Sequence, residues 1–212
     1  MAIITKLEAQ KKNEDRVSIY VDDKYFVGVY KELIYSFNLK KGDSIDEESL
    51  KEMLDKEMFI KAKNKAINML TRSDKSEKTM RDKLTEDFDE HIIDQVVEFL
   101  EGYKLIDDNS LAHKLTNKNV HLNKWGKNKI KQNLYTKGIK KEDINDAISD
   151  IDDDVEFENA MYLAKKKYAQ VNKLEKRKAY QKLYQHLSYK GFDYNTVKRV
   201  LDKLLNTDEY DM

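Results

Sequence analysis

The chain has no cysteine and no proline among its 212 residues, and it has only six glycines. Without cysteine there can be no disulfides, thiolate metal sites or cysteine nucleophiles, and this composition suits a reducing cytoplasm. Without proline, and with little glycine, the backbone has few interruptions. Helices joined by short turns are therefore expected, and flexible linkers are not.

Long hydrophobic runs are also missing. The amino terminus, MAIITKLEAQKKNEDR, offers only a few apolar residues before charges begin, so we expect neither a signal peptide nor a membrane span. Charged residues make up 38% of the chain, which is typical of helices with narrow apolar stripes and much solvated surface. We expect a cytoplasmic protein that acts as a monomer and binds no membrane.

Opposite charges are kept apart along the chain, although the net charge is zero. Residues 109–141 hold nine lysines and no carboxylate, whereas residues 142–158 hold nine carboxylates and no lysine or arginine. Seven further lysines and one arginine lie between residues 165 and 182. Such lysines either form solvated helix faces or bind phosphate groups or an acidic protein groove.

The first 44 residues differ from the rest. RVSIYVDDKYFVGVY alternates β-branched and aromatic residues around Asp22, Asp23 and Lys24, which predicts two strands and a tight turn. IITKLEAQ predicts a third strand. Ser44 and Glu47 fit a capping box, so a helix should begin there and continue into the next region.

The remaining sequence repeats itself with a period of just over fifty residues. FDEHIIDQVVEFL, IKKEDINDAISDI and FDYNTVKRVLDKL start 51 and 53 residues apart. Each segment has three apolar positions on one helical face, and we expect these to be buried. The nine residues are Ile93, Val97, Leu100, Ile144, Ile148, Ile151, Val197, Leu201 and Leu204.

Two more amphipathic segments precede each of these, so each repeat should have about three helices. Gly138 and Gly191 are placed to end the second helix of their repeats in a left-handed conformation, and the first repeat lacks this glycine. Ser76 is a candidate N-cap.

The predicted fold is mainly α. Three tandem three-helix repeats form an elongated curved array after a small N-terminal extension that contains a β-hairpin. The predicted boundaries are 1–57 for the extension with its connecting helix, and 58–108, 109–154 and 155–212 for the repeats.

Few residues suggest catalysis. The four histidines show no metal-ligand spacing, and His113 and His121 have no carboxylate in their own block. There is no phosphate-binding loop, dinucleotide fingerprint or nucleophile elbow. DIDDDVE lacks the glycine and the terminal glutamate of a calcium loop, so we interpret it as a solvated acidic connector. We predict a protein that is not an enzyme and that uses no metal and no cofactor.

Trp125 is the only tryptophan, and it stands just before Gly126 at the start of a lysine-rich helix. It could stack on a nucleobase, but a single tryptophan at a helix entrance more often packs against a neighbouring helix. We therefore favour packing.

Several motifs in order, RSDKSEKTMRDKL, LIDDNSLAHKL, WGKNKIKQNLYTKGI and LYQHLSYKGF, resemble the RecX family, regulators of the bacterial recombinase RecA. The resemblance covers about residues 62–204. Its most specific part is LIDDNSLA, which matches the family's aspartate-pair motif at Leu105, Ile106, Asp107, Asp108, Leu111 and Ala112.

The resemblance implies three-helix repeats and a non-enzymatic regulator that lodges in the groove of the RecA nucleoprotein filament. It also implies restraint of the ATPase, strand-exchange and co-protease activities of RecA. By motif position and charge, the candidate contacts to RecA or to the phosphates of single- or double-stranded DNA are Arg72, Arg81, Lys124, Lys127, Lys129, Lys131, Lys137, Lys165, Lys166, Arg177 and Lys178. The alternatives are a stand-alone DNA-binding protein and a helical scaffold for another protein.

Overall fold

The structure is a computed structural model that describes residues 2–207, and in this range it contains four strands and ten helices. The chain forms two compact units. Unit 1 comprises residues 1–74 and 80–105, and unit 2 comprises residues 75–79 and 106–212. Among the described residues, no helix combines the length and the apolar character that a membrane crossing requires.

Unit 1 opens with an antiparallel sheet in the order β3-β2-β1-β4. Asp22 and Asp23 both adopt positive φ in the two-residue turn between β2 and β3, which suits the twist of a hairpin. The predicted hairpin and third strand are confirmed. The strands are β1 (Ala2–Gln10), β2 (Asn13–Val21), β3 (Lys24–Tyr30) and β4 (Ser44–Ile45).

A short helix, α1 (Lys31–Ser36), and a long one, α2 (Glu47–Leu70), follow the hairpin. The predicted capping box is wrong: Ser44 pairs with β1 as part of β4, and Asp46 caps α2 by accepting from the Ser49 amide at 2.7 Å. The prediction that the helix runs unbroken is confirmed. The residues buried between the sheet and these helices are Ile4, Ile19, Val29, Leu33, Met53 and Ile60.

A buried carboxylate fastens the sheet to α2. Glu57 is 2% exposed, and its Oε2 accepts from the Tyr30 amide at 2.8 Å. Arg16 of β2 places Nη2 2.8 Å from Oε1, and Lys61 lies 3.3 Å from the same oxygen. Because a buried charge is costly without partners, these contacts make Glu57 a clasp between the sheet and the helix.

The first repeat continues with α3 (Glu77–Leu84) and α4 (Glu90–Gly102). Met80 and Leu84 of α3 are fully buried, as are Val96 and Leu100 of α4. Ser76 accepts a hydrogen bond from the Thr79 amide at 3.2 Å, so the predicted N-cap is confirmed.

Unit 2 contains the second and third repeats. Their helices are α5 (Asp108–His121), α6 (Lys127–Thr136) and α7 (Lys141–Ser149), then α8 (Asp153–Val171), α9 (Lys176–Tyr189) and α10 (Tyr194–Thr207). Each repeat has its own apolar core. All nine residues that the repeat alignment placed inside are buried, which confirms the predicted helical faces.

Left-handed glycines end the second helix in both repeats of unit 2. Gly138 has φ +78° and Gly191 has φ +91°, as predicted from their position after the helix. A methyl group at Gly191 would overlap the backbone nitrogen of Lys129 in the preceding repeat. Glycine is therefore needed there both for conformation and for close approach.

Candidate partner-binding surface

Helix α6 carries three of the predicted contact lysines, Lys127, Lys129 and Lys131. It begins after Gly126, and it buries Ile130 and Leu134 completely in the core of the second repeat. Lys131 is exposed, and Tyr135, one turn later, is 76% exposed. The face opposite the core is thus both basic and aromatic, and it stands open to solvent.

Lys127 is tied to the third repeat. Its Nζ lies 2.5 Å from Asp153 Oδ1 and 3.6 Å from Glu156 Oε2. Its own amide donates to Glu156 Oε1 at 2.9 Å. Burial opposes the charge of Lys127, but the two carboxylates outweigh this effect and raise its pKa. The hydrogen bond from Lys127 lowers the pKa of Asp153.

Lys129 also reaches the third repeat. Its Nζ lies 5.0 Å from the centre of the Trp125 ring and 3.9 Å from that of Tyr189. It also donates to the Tyr189 carbonyl at 3.3 Å. Trp125 packs against the core of the second repeat, so the prediction of packing is confirmed. The charge of Lys129 is held between two aromatic rings, where it stabilises the contact between the repeats.

The contact between α6 and the third repeat has a fixed form, which we call the interlock. The Gly126 amide donates to the Lys190 carbonyl at 2.9 Å, and the Asn128 amide donates to the Gly191 carbonyl at 3.1 Å. Together with Glu156, these carbonyls satisfy the amides that the first turn of a helix leaves free. The helix start of one repeat therefore docks on the glycine turn of the next.

The start of α3, which belongs to unit 2, makes the same kind of contact with the second repeat. The Ser76 hydroxyl donates to the Lys137 carbonyl, which precedes Gly138. The Glu77 amide donates to Asp108 Oδ1 at 2.9 Å. Asp108 thus does for α3 what Glu156 does for α6: a carboxylate from the first turn of the following repeat caps the helix.

The interlock gives separate roles to the two aspartates of the LIDDNSLA motif. Asp107 caps its own helix, α5, by accepting from the Ser110 amide at 2.8 Å. Asp108 caps α3. Burial raises the pKa of Asp108; nearby Glu77 and Asp143 raise it further, against the lowering effect of the Glu77 amide.

The other predicted contact residues differ in exposure and in whether they form ion pairs. Arg81 pairs with Asp94 at 2.6 Å in unit 1, and Lys178 lies 3.4 Å from Glu175 in unit 2. Lys124 is half-buried and has φ +55°. The remaining exposed candidates are Arg72 in unit 1 and Lys131, Lys137, Lys165, Lys166 and Arg177 in unit 2.

Sequence reasoning missed the residues that complete the interlock. The sequence predicted a solvated connector that includes Asp153 and Glu156, but Glu156 is only 7% exposed and caps α6. No sequence pattern indicated Tyr189. The position of Glu156 was a partial indication of its role. It follows the α8 N-cap by four residues, and helical side chains tilt back toward the start of the helix.

His113 has carboxylate neighbours that its own sequence block does not contain. Asp146 and Asp150, both supplied by the α7 region, each lie 3.1 Å from one of its ring nitrogens. Hydrogen bonds from Asn109 and His113 lower the pKa of Asp146. Across residues 2–207, no group of three or more histidines and carboxylates is arranged to hold a metal ion.

Comparison with protein families matches four regions of the chain. Residues 2–46 match the regulatory protein RecX N-terminal domain. The first, second and third three-helix domains of RecX match residues 62–100, 107–148 and 154–201.

Similar proteins and structures cover nearly the whole chain. Regulatory protein RecX of Clostridioides difficile (strain 630) is 62% identical over all 212 residues of both proteins. That of Clostridium botulinum (strain Alaska E43) is 39% identical, again over both full lengths. A crystal structure of regulatory protein RecX matches 95% of this chain and 100% of its own, with 30% identity and a TM-score of 0.78.

A second crystal structure, of RecX from Lactobacillus salivarius, matches 69% of this chain and 96% of its own. Its identity is 28% and its TM-score 0.65. The sequence repeats, the three-helix cores and these full-length matches agree, and the chain belongs to the RecX family of regulatory proteins.

Proposed function

We propose that this chain is a non-enzymatic regulator of the recombinase RecA. It binds in the groove of the RecA nucleoprotein filament and restrains the ATPase, strand-exchange and co-protease activities. The observation that carries the proposal is the full-length match to a protein named regulatory protein RecX, at 62% identity. RecA as the target follows from what the RecX motifs imply.

The lysines that remain exposed support this function. Lys118, Lys131 and Lys137 are exposed, and within the described chain none of their ammonium groups has a hydrogen bond or ion pair. Residues 109–141 contain no carboxylate to compete for them. A surface of this kind attracts acidic protein grooves and phosphate backbones.

The test is a titration of the DNA-dependent ATPase of RecA with this protein. Inhibition at or below stoichiometric amounts is the expected result, because a protein lodged in the filament groove hinders the turnover of neighbouring subunits. An unchanged ATPase rate at a twofold excess over RecA would contradict the proposal.

The contact surface is tested with Lys131→Glu and Lys137→Glu combined, since these ammonium groups take no part in the interlock. We expect the concentration for half-inhibition to rise roughly tenfold, because reversing two charges opposes binding to an acidic surface. Lys127 and Lys129 are unsuitable, because their substitution disturbs the packing between repeats.

The matched control reverses two exposed lysines on α1 and α2, Lys31→Glu and Lys51→Glu, for the same change in net charge. Circular dichroism verifies that both double variants are folded. If the two double variants weakened inhibition of RecA equally, the effect would come from net charge and not from the positions of Lys131 and Lys137.

A stand-alone DNA-binding function is the second candidate. It is favoured by Tyr135 and Tyr189, which are 76% and 73% exposed beside the α6 lysines and could stack on bases. In the absence of RecA, this function predicts tight binding to DNA that weakens steeply with salt. Absence of both DNA binding and RecA inhibition would leave a helical scaffold for another protein.

A further inference from the structure

Lys127 begins a row of side chains along the exposed side of α6. Lys127, Lys131 and Tyr135 follow one another at intervals of four residues, so they lie on successive turns of one helix face. Lys131 and Tyr135 are exposed. The side chain of Lys127 is 28% exposed, which places it at the edge of the same surface.

An exposed carboxylate neutralises Lys127 at this end of the row. Asp153 Oδ1 lies 2.5 Å from Lys127 Nζ, and the Asp153 side chain is 86% exposed. The second acid at Lys127 is Glu156, whose side chain is only 8% exposed and lies 3.6 Å from the ammonium group. One partner of Lys127 is therefore built into the interlock, and the other stands on the surface.

Other residues cap the two helix starts next to Asp153. The N-cap of α8 is Asp152, which accepts from the Asp154 amide at 2.8 Å. The amide of Lys127 at the start of α6 donates to Glu156. Within residues 2–207, the Asp153 side chain has no hydrogen bond or ion pair except the one with Lys127. This contact can therefore break without leaving a helix end uncapped.

The free energy needed to break this contact is small. Ion pairs with one fully solvated partner contribute little, because water competes for the charges. When Asp153 turns away, Glu156 still lies beside Lys127, so the lysine keeps a counter-charge. Because an ammonium group has three donors, a carboxylate from another molecule can take the place that Asp153 leaves.

We propose that Asp153 is an autoinhibitory residue, whose carboxylate occupies Lys127 until an acidic side chain of a protein partner displaces it. Lys127 and Lys131 then bind the acidic groups of the partner together. The partner is the RecA of the proposed function, so this inference rests on that function and adds a regulatory contact to it.

The charges around Asp153 favour a carboxylate over DNA as the displacing group. Asp152 and Asp154 are exposed on either side of Asp153 in the first turn of α8. A phosphate backbone brings a continuous line of negative charges past these two acids, whereas an acidic side chain brings only one. Repulsion is therefore weaker for the protein partner.

The experiment compares Asp153→Asn with the wild type in the DNA-dependent ATPase assay of RecA. We expect the variant to reach half-inhibition at about a threefold lower concentration, because binding no longer has to break an exposed ion pair. Equal half-inhibition concentrations would overturn this inference and leave the proposed function intact. A wild type that does not inhibit RecA would overturn the proposed function, and this inference with it.

Asp154→Asn is the matched control, because it removes the same charge from the same turn of α8. In the described part of the chain, the Asp154 carboxylate forms no ion pair, so we expect the half-inhibition concentration of this variant to stay close to that of the wild type. Circular dichroism verifies that both variants are folded. A gain as large in Asp154→Asn would overturn the inference, because the cause would then be the general loss of negative charge.

A binding measurement without RecA distinguishes the two classes of partner. The probe is a labelled single-stranded oligonucleotide, and fluorescence anisotropy reports its affinity for the wild type and for Asp153→Asn. We expect a smaller gain in affinity for the oligonucleotide than in inhibition of RecA. An equal gain in both would overturn the choice of a protein carboxylate as the displacing group.

Discussion

Asp108 caps a helix of the neighbouring repeat, and in this position its own ionised form is disfavoured. It is half-buried, and burial is the main reason why its pKa lies above the ordinary value of 3.8. A carboxyl with a raised folded-state pKa is penalised when ionised. This penalty is present in full above the folded-state pKa and disappears as the pH falls below the unfolded-state value.

We expect Asp108→Asn to remove this penalty while its amide oxygen still accepts from the Glu77 amide. The free energy of unfolding of the variant, relative to the wild type, should therefore be higher at pH 7 than at pH 4. Urea denaturation at both pH values measures this difference.

Asp46→Asn provides a control of opposite sign. The Ser49 amide and hydroxyl lower the pKa of Asp46, so its ionised form stabilises the fold above the unfolded-state pKa, and this gain is lost as the pH falls. The variant should thus be at its greatest disadvantage at pH 7. The same slope for both variants would contradict the assigned causes.

Gly191 gives a second prediction at the scale of the residue. Gly191→Ala should lower the free energy of unfolding by about 2 kcal/mol or more, because φ +91° strains any other residue and the added methyl overlaps Lys129. Urea denaturation measures the loss.

Gly102→Ala is the matched control for Gly191→Ala. Gly102 ends α4, and a methyl group added there would meet no atom within 4 Å. Since alanine also favours a helix, we expect a change between zero and a gain of about 1 kcal/mol. A loss as large in this control would mean that the effect at Gly191 is not specific.

At the scale of the element, the sequence predicted what depends on local periodicity. The nine repeat positions, both glycine turns, the hairpin and the Ser76 cap are all found as expected. The start of α2 was missed because Ser44 pairs with Ile3 of β1, 41 residues earlier, and no local sequence pattern indicates such pairing.

The candidate surface was predictable only in part, for a similar reason. Charge runs show where lysines are concentrated along the chain. They do not show which of these lysines are paired, because Asp153 and Tyr189, which contact Lys127 and Lys129, lie about 25 to 60 residues further along the chain. These contacts form only where the second and third repeats pack together. The spacing of residues within α6 does not predict them.

The clasp between the sheet and α2 leads to a prediction for an element. Glu57→Gln leaves Arg16, whose side chain is only 18% exposed, without its counter-charge, so the free energy of unfolding should fall by on the order of 2 kcal/mol. Guanidinium denaturation followed by circular dichroism measures the loss.

The control for the clasp is Glu52→Gln on the same helix. It removes only the exposed pair with Lys56, for which we expect a loss below about 0.5 kcal/mol. If the two variants lost equal stability, the clasp would be no stronger than a surface ion pair.

At the scale of the whole molecule, the interlock occurs twice within residues 2–207, and a further copy would have to use the turn of the first repeat. The first repeat has no glycine in its turn on which the helix start of another chain could dock.

We therefore expect the chain to remain monomeric, because head-to-tail association through the interlock would need a glycine turn that the first repeat lacks. Sedimentation equilibrium at concentrations up to about 100 μM, well above the Kd of a typical transient complex, should give the mass of one chain, 25.1 kDa. A concentration-dependent rise toward twice that mass would contradict this prediction.

The contacts of Lys127 also determine how the family's repeats can be recombined. The ammonium and the amide of Lys127 both contact acids of the following repeat. In a chimera, a third repeat taken from another protein must therefore supply acids at the positions of Asp153 and Glu156. A crossover placed between Asn123 and Lys127 would keep lysine and acids from one parent, whereas a crossover after α7 would separate them. The helix start and the acids that cap it are thus inherited as one block.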